Sequence, residues 1–252
     1  MATVQSEVGK IRIFEDFIST EMAVATNDDV YQVGQFRVVG DTLADADAGV
    51  LINESDPNLN GVARLTSPHA SDNDSLGITT SKMFDVAKMG PLVAEIRVQF
   101  DDLDTKEFFF GFTDENDDDQ GLEGDMIHGG TATLTLTASD LCGFFWSAEL
   151  TEDEMWHCVY NGGTTTGETV SADVESGIDL VAAEYNILRI EIDPNGTARW
   201  YIDGVLKQTV AGAVSTTTDL ACGAFIEVKG TNAAETADID YILIEANRDW
   251  TV

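Results

Sequence analysis

Alternation of apolar and polar residues with a period of two is the feature that most constrains the fold. In the segment 92–100 the apolar residues at even-numbered positions, from Leu92 to Phe100, share one face, and Glu95, Arg97 and Gln99 share the other. A β-strand points successive side chains to opposite faces of a sheet. The pattern therefore predicts a half-buried antiparallel strand.

A second segment, Glu107–Phe112, predicts a strand that is covered on both faces. Its phenylalanines fall on both sides of the strand, and Glu107 is the one polar residue of the segment. Strands buried on both faces lie in the interior of a sheet. We therefore expect this segment to be a central strand.

The segment 185–210 predicts a three-stranded meander. Leu188, Ile190 and Ile192 alternate with polar residues, and the sequence Asp-Pro-Asn-Gly at 193–196 has the composition of a tight turn. The return strand ends at Asp203-Gly204, a strong two-residue hairpin signal. Two hairpins in succession are thus expected here.

The remaining strand signals bring the total to roughly a dozen, separated by turn signals every 8–12 residues, which is typical of a β-sandwich. Helical signals are confined to 81–89 and to a single turn at 151–154. The segments 40–75, 114–142 and 162–184 are rich in Asp, Gly, Ser, Thr and Asn and are expected to be long loops. The other predicted strands are 11–17, 31–39, 50–53, 76–80, 143–149, 156–161, 224–229 and 237–245.

The length of 252 residues fits one sandwich domain over 1–252, in which residues 1–10 are considered as an extended N-terminal segment. The net charge of −33, from 46 acidic and 13 basic residues, disfavours nucleic acid and anionic membranes as partners. The acidic excess is expected to be a solvated surface, with adaptation to salt and binding of hard cations as alternatives.

Three cysteines without CxxC spacing, Cys142, Cys158 and Cys222, indicate neither a disulfide framework nor a zinc site. The N-terminus has no basic-then-apolar leader, and no apolar run is long enough to cross a bilayer. From this we expect a protein without a signal peptide, made in the cytoplasm, with no membrane insertion.

The run from Asn186 to Gly204 resembles the recurring hairpin of concanavalin A-like and laminin G-like jelly rolls, in which a strand turns back into an aromatic strand ending in Asp-Gly. The segment 238–245 is similar to the closing strand of the same sandwich. The resemblance implies an all-β, antiparallel two-sheet β-sandwich. That fold carries lectins, glycosidases and structural modules alike.

The run Phe108–Asp114 also resembles, more loosely, sequences of structural proteins of marine tailed bacteriophages. That resemblance implies a virion protein made in the host cytoplasm, a capsid decoration or cement component. Its expected partners are the major capsid protein and further copies of itself. Two alternatives stay open: a glycan-binding module of a tail or fibre that contacts host-surface glycans, and a glycoside hydrolase.

Catalytic residues are not expected. The laminarinase-like Glu-x-Asp-x-(x)-Glu pattern has its nearest match at Asp238, Asp240 and Glu245, and a regular strand would point Glu245 away from the other two. Glu191 and Asp193 share a face but belong to an amphipathic strand and its turn. The protein is therefore expected not to be an enzyme.

Candidate binding residues lie in the acidic loop and among the tryptophans. Asp114, Asn116, Asp118 and Asp125 stand at oxygen-bearing positions of an EF-hand, but the turn glycine and the bidentate Glu are missing, so calcium is a possible cofactor only in another geometry. His128 is considered as a ligand or base, against the simpler expectation of a surface histidine. Trp146 and Trp156 are candidates for stacking on sugar rings, against the alternative that they are core residues.

Overall fold

The computed structural model describes residues 3–4, 9–18, 22–25, 32–41, 43, 48–52, 61–151, 154–230, 233–249 and 251. Helical structure in this part of the chain comprises α1 (Val86–Met89), a π-helical turn (Leu122–Met126) and a 3-10 turn (Ser171–Val174). The strands are β1 (Thr3–Val4), β2 (Lys10–Glu15), β3 (Met22–Ala25), β4 (Gln32–Val33), β5 (Phe36–Val39), β6 (Gly49–Ile52), β7 (Ala63–Thr66), β8 (Ser75–Thr79), β9 (Phe84–Asp85), β10 (Leu92–Gln99), β11 (Lys106–Thr113), β12 (Ile127–Gly130), β13 (Thr133–Leu136), β14 (Leu141–Ser147), β15 (Met155–Asn161), β16 (Glu175–Asp179), β17 (Asn186–Ile192), β18 (Ala198–Ile202), β19 (Val205–Val210), β20 (Asp219–Val228) and β21 (Thr236–Asn247).

Two large antiparallel sheets form a sandwich, as the sequence predicts. The ten-stranded sheet has the order β19-β18-β17-β10-β21-β7-β6-β3, with β2 also paired to β21 and β1 paired to β2. The nine-stranded sheet has the order β16-β15-β14-β11-β20-β8-β5-β4, with β9 also paired to β20. A small third sheet, β12-β13, lies outside these two. The fold class is therefore an all-β, concanavalin A-like sandwich.

Aromatic side chains fill the space between the two sheets. Phe100, which follows β10, packs on Trp146 and Phe108 of the nine-stranded sheet, with ring centroids 4.8 and 5.1 Å apart. From the ten-stranded sheet, Trp200 donates its indole N–H to the backbone oxygen of Gly143 at 2.8 Å. Aromatic contacts contribute about 0.5–1.5 kcal/mol each beyond the area that they bury. They fix how the sheets are aligned as well as holding them together.

The predicted central strand and the predicted meander are both confirmed. All eight residues of β11 are buried, and β11 lies between β14 and β20. The segment 185–210 forms β17, β18 and β19. Asp203 and Gly204 both have positive φ, 50° and 77°, as a two-residue hairpin turn of this twist requires.

The prediction of three long loops is only partly correct. Strand β7 lies within 40–75, β12 and β13 within 114–142, and β16 within 162–184. These strands are only four or five residues long and rich in Thr, Ser and Gly, so their period-two signal is too short to separate from turn composition. The helix expected at 81–89 begins only at Val86, after the side chain of Asp85 caps it by accepting from the backbone N–H of Lys88 at 3.0 Å. The described helices include none that is long and apolar enough to span a bilayer.

Substitution of Ile190 tests the register of the meander. Ile190 is fully buried, whereas its neighbour Glu191 lies on the outer face of the sheet. We expect Ile190→Asp to destabilise the fold by several kcal/mol, because it buries an unpaired carboxylate. Glu191→Ala should cost about 1 kcal/mol or less, because it removes a partly exposed ion pair. Thermal melts of both variants measure this, and equal small shifts would contradict the register.

Candidate functional site

Two glutamates lie side by side in the middle of the nine-stranded sheet. Glu107 of β11 is directly opposite Glu227 of β20 in the strand register, and both are fully buried. Their neighbours Phe108 and Ile226 point into the sandwich core, so the two carboxylates point to the outer face of this sheet. Opposed residues on adjacent antiparallel strands have Cβ atoms about 4.5–5.5 Å apart. The carboxylates are thus held close together away from water.

Residues 121–136, which we call the covering segment, bury this pair from outside. The segment comprises the π-helical turn and the β12–β13 hairpin. Its backbone N–H groups at Leu122 and Glu123 donate to Glu227 Oε2 at 2.7 and 3.0 Å, and that of Gly129 donates to Glu107 Oε1 at 3.0 Å. A buried carboxylate is tolerated where such donors compensate its lost hydration. The segment is therefore attached to the sheet through the two carboxylates.

Glycine at position 129 allows the hairpin to approach the sheet this closely. A Cβ atom at Gly129 would lie 2.8 Å from Cβ of Ser147 and 3.0 Å from Cγ of Leu150. Ser147, from β14, donates its hydroxyl to Glu107 Oε1 at 2.6 Å. Any larger residue at 129 would push the hairpin outward and lengthen its N–H contact to Glu107.

Further charged groups complete what we call the carboxylate cluster: Glu107, Glu123, Glu149, Glu227, His128 and Lys229. His128 Nδ1 lies 3.4 Å from a carboxylate oxygen of Glu107, 3.4 Å from one of Glu123 and 3.9 Å from one of Glu149. Lys229, whose side chain is 3% exposed, donates to Glu123 Oε2 and to Asn73 Oδ1, both at 2.6 Å. Four carboxylates therefore surround one ammonium group and one imidazole.

The cluster shifts the pKa values of its members in directions that follow from burial and charge. Burial raises the pKa of Glu227 to about 8, against the opposing effect of its two backbone donors. Burial alone would lower the pKa of Lys229, but the surrounding carboxylates raise the pKa to about 12. Glu107 is the main cause of the raised pKa of His128.

Three polar atoms of the cluster have no hydrogen-bond partner: Glu107 Oε2, Glu227 Oε1 and His128 Nδ1. A buried polar atom without a partner normally costs about 1–3 kcal/mol, and more if it is charged. Chemically, the arrangement offers lone pairs to a cation. Its two opposed carboxyl groups also resemble the carboxyl pair of an acid–base catalyst, but both are covered by the covering segment.

A second candidate site is the outer face of the ten-stranded sheet, whose rings are half-exposed in the part of the chain that the structure describes. Five of the seven arginines in the chain lie there with half-buried aromatic rings, and we call this the tyrosine–arginine face. Its members are Phe14, Tyr185, Tyr201, Tyr241, Arg12, Arg64, Arg97, Arg189 and Arg199.

Carboxylates and hydroxyls hold these planar groups in place. Arg189 bridges Glu95 and Glu191 at 3.2 and 2.8 Å. The hydroxyls of Tyr241 and Tyr201 donate to the same two glutamates, at 2.8 and 3.3 Å.

Arg97 adds a planar stack to this face. Its guanidinium carbon lies 3.8 Å from the ring centroid of Tyr185. Cation–π contacts of this kind are worth about 0.5–1 kcal/mol at exposed sites. The face is therefore an array of half-buried rings and guanidinium groups held by ion pairs, hydrogen bonds and one planar stack.

A β-bulge in β21 changes which face of the sheet its first side chains point to. The register of β21 against β10 shifts between Arg97 and Val98, where Asp240 is the extra residue. Asp238 consequently lies on the outer face, where it pairs with Arg64 at 2.7 Å, while Glu245 on the same face pairs with Arg12 at 3.1 Å. The prediction that Asp238 and Glu245 point to opposite sides was wrong because it assumed a regular strand.

The four predicted calcium ligands are not brought together. Asn116 and Asp118 accept hydrogen bonds from the guanidinium of Arg37, at 3.0 and 2.7 Å between side chains. Asp114 accepts from the backbone N–H of Asp140 at 3.0 Å, and Asp125 accepts from that of Gly121 at 2.9 Å. The loop uses these oxygens to satisfy its own backbone and one arginine, and calcium bound in another geometry stays a prediction.

Trp146 and Trp156 cannot stack on sugars in this structure, because both are fully buried in the core. The alternative interpretation, that they are core aromatics, is confirmed. His128 is not a plain surface histidine either, since its side chain is 23% exposed and lies among three carboxylates. The three cysteines are buried, and burial raises the pKa of Cys158 to about 12.

Comparison with known proteins finds solved structures of similar fold but no matching family. No protein-family model matches the chain, and no curated protein matches it. Among solved structures it is similar to a protein of unknown function from Shewanella oneidensis MR-1, at a TM-score of 0.56 and 14% identity over 97% of this chain and 89% of that one.

The chain is also similar to a point mutant of the Emp46p carbohydrate recognition domain, at a TM-score of 0.52 and 10% identity over 92% of this chain and 97% of that one. A Bacillus licheniformis β-glucanase aligns at a TM-score of 0.49 and 14% identity, covering 92% of this chain and 97% of the other. At these identities the two likenesses with TM-scores above 0.5 show the fold alone, and the fold hosts more than one function.

The raised pKa of Glu227 predicts a pH dependence of stability. Its pKa is about 8 in the folded protein against 4.5 as the ordinary value, so between these values the folded state holds a proton that the unfolded state has lost. Stability should therefore fall as pH rises from about 5 to 8, by on the order of 1 kcal/mol per pH unit from this group.

Glu227→Gln should flatten that decline, and melting temperatures measured from pH 5 to 9 in chelator-treated buffer would show it. Glu245→Gln, on the open face of the other sheet, serves as the control and should leave the slope unchanged. An identical slope in wild type and Glu227→Gln would refute the protonated state of Glu227.

Proposed function

We propose that this protein is a non-catalytic glycan-binding module that binds through the tyrosine–arginine face. The observation that carries the proposal is the array of half-exposed rings interleaved with paired arginines and carboxylates. Sugar rings present apolar C–H faces and a rim of hydroxyls. Aromatic faces accept the former, and carboxylates with guanidinium groups hydrogen-bond the latter.

The shape and charge of this face favour a particular class of glycan. Small ligands generally bind in concave pockets, whereas rings spread over several neighbouring strands suit an extended polysaccharide over which several weak contacts add. The net charge of −33 would repel anionic polymers at low salt. We therefore infer an uncharged polysaccharide as the ligand. The Emp46p domain, named for carbohydrate recognition, has the same fold and adds support.

Loss of a ring from the tyrosine–arginine face tests the proposal. Tyr201→Ala and Tyr241→Ala should each weaken binding to an insoluble neutral polysaccharide about five- to tenfold, because each removes about 1–1.5 kcal/mol of ring contact. Cosedimentation with a panel of such polysaccharides measures the affinities. Val170→Ala, at an exposed position bridged to Thr133 of the covering segment on the side of the nine-stranded sheet, is the control and should bind as wild type does.

Failure of the wild-type chain to sediment with any polysaccharide would overturn the proposal. Equal affinity of wild type and both tyrosine variants would place the binding surface elsewhere on the molecule.

Glycoside hydrolysis is a second candidate function, favoured by one observation. Glu107 and Glu227 are opposed carboxyls, and the pKa of Glu227 is raised to about 8. This chemistry uses a pair of carboxyl groups, one of which has a raised pKa and acts as the general acid. Against it, the covering segment occupies the space that a sugar would need. Release of reducing sugar by wild type, abolished in Glu227→Gln, would establish the hydrolase.

The capsid decoration prediction gains no support from the described structure or from the similar proteins. It stays a prediction, as do virion partners, self-association and synthesis in a host cytoplasm.

A further inference from the structure

The carboxylate cluster has more acceptors than its own donors can satisfy. Glu107 is fully buried, and its Oε2 has no hydrogen-bond partner, while its Oε1 accepts from Gly129 and Ser147. His128 Nδ1, on the covering segment, also lacks a hydrogen-bond partner. A buried anionic oxygen without a donor is costly. A bound cation would remove that cost.

The geometry around His128 fits a small ion with nitrogen and oxygen ligands. One ligand atom each from Glu107, His128 and Glu149 lies within 4.8 Å of the other two, and this is the one such group of three among the residues that the structure describes. Two donors bound at about 2.0–2.1 Å to one tetrahedral ion lie about 3.3–3.4 Å apart. His128 Nδ1 is 3.4 Å from Glu107 Oε1 and 3.9 Å from Glu149 Oε2.

The charges also balance for a divalent ion. Lys229 is directed to Glu123, with Nζ 2.6 Å from its carboxylate oxygen, and lies farther from Glu149, at 3.6 Å. Lys229 and Glu123 therefore neutralise each other. Glu107 and Glu149 are then the two carboxylates that remain beside the His128 imidazole, and one divalent cation matches a pair of carboxylates.

An ion can reach this site from solvent. The side chains of Glu149 and His128 are 45% and 23% exposed, whereas that of Glu107 is completely buried. The site is thus accessible to solvent at His128 and Glu149 and enclosed by protein at Glu107. Its ligands come from β11, from β12 in the covering segment, and from the connection between β14 and β15.

We propose that Glu107, His128 and Glu149 bind one divalent transition-metal ion, Zn²⁺ in the first instance, which fastens the covering segment to the nine-stranded sheet. An imidazole nitrogen with two carboxylate oxygens suits Zn²⁺ better than Ca²⁺, which prefers six to eight oxygen ligands. Three protein ligands leave the fourth tetrahedral position for water. The site lies on the opposite sheet from the tyrosine–arginine face and does not depend on glycan binding.

Titration of the chelator-treated protein with ZnCl₂ in a calorimeter tests the proposal. We expect one ion per chain, and a rise in melting temperature of roughly 5–10 °C at a hundredfold excess over Kd. MgCl₂ and CaCl₂ at the same concentrations should give little of this rise. Glu107→Gln and His128→Gln should each weaken Zn²⁺ binding about 100-fold or more, because loss of an outer-shell partner alone costs 10–100-fold.

Matched controls separate this site from other zinc-binding groups. His69→Gln removes a histidine outside the cluster and should bind Zn²⁺ as wild type does. Co²⁺ added to the wild-type protein should give the visible absorption of a tetrahedral nitrogen–oxygen site without a thiolate charge-transfer band, which excludes the cysteines. This second readout uses only wild type, so it stands even if a variant fails to fold.

Two outcomes would overturn the proposal. One is the absence of saturable Zn²⁺ binding by the folded wild-type protein. The other is undiminished binding by Glu107→Gln and His128→Gln, which would assign the ion to surface carboxylates elsewhere.

Discussion

Burial of two opposed carboxylates in the centre of a sheet is the constraint on which the rest of this structure depends. Removing an ionised carboxylate from water costs several kcal/mol unless donors replace the lost hydration. Glu107 and Glu227 obtain those donors from backbone N–H groups of the covering segment and from Ser147. The outer face of the nine-stranded sheet can therefore be closed only if the covering segment takes one particular path across it.

That constraint divides the molecule into two unlike outer faces. On the nine-stranded sheet the covering segment seals the carboxylates, and Gly129 allows its close approach to Ser147. On the ten-stranded sheet arginines and carboxylates neutralise each other across neighbouring strands, and tyrosine hydroxyls join the same network. The sealed face suits a small ion held by fixed ligands. The open face suits a large ligand held by many weak contacts.

The period-two pattern was sufficient to predict the sandwich and its central strand, because each long strand buries one complete face or both. The short strands β7, β12, β13 and β16 escaped prediction, since four or five residues rich in Thr, Ser and Gly look alike in a strand and in a loop. The bulge at Asp240 put the Asp238 carboxylate on the same face of the sheet as Glu245. A bulge of this kind cannot be recognised from the alternation of apolar and polar residues until the partner strand is known.

One of the buried glutamates could have been found from the sequence. Glu107 shares a strand face with Phe109 and Gly111 on a segment that was predicted to be covered on both sides, so a buried carboxylate followed from that prediction. Glu227 lies in the strand predicted at 224–229, for which cover on both faces was not predicted, so only its place in a strand was expected. Their pairing could not be predicted, because it depends on β11 lying next to β20, more than 100 residues later in the chain. The calcium and tryptophan predictions relied on residue type alone, and the structure uses those residues for loop closure and core packing.

Hydrogen exchange at single-residue resolution tests the central claim most directly. If the carboxylates hold the covering segment, the amides of Leu122, Glu123 and Gly129 should exchange as slowly as neighbouring amides of β11, although they lie outside both large sheets. Glu227→Ala should accelerate exchange at Leu122 and Glu123 by tenfold or more while β17, on the other sheet, keeps its protection. Fast exchange of all three amides in the wild-type protein, with β11 still protected, would contradict the account.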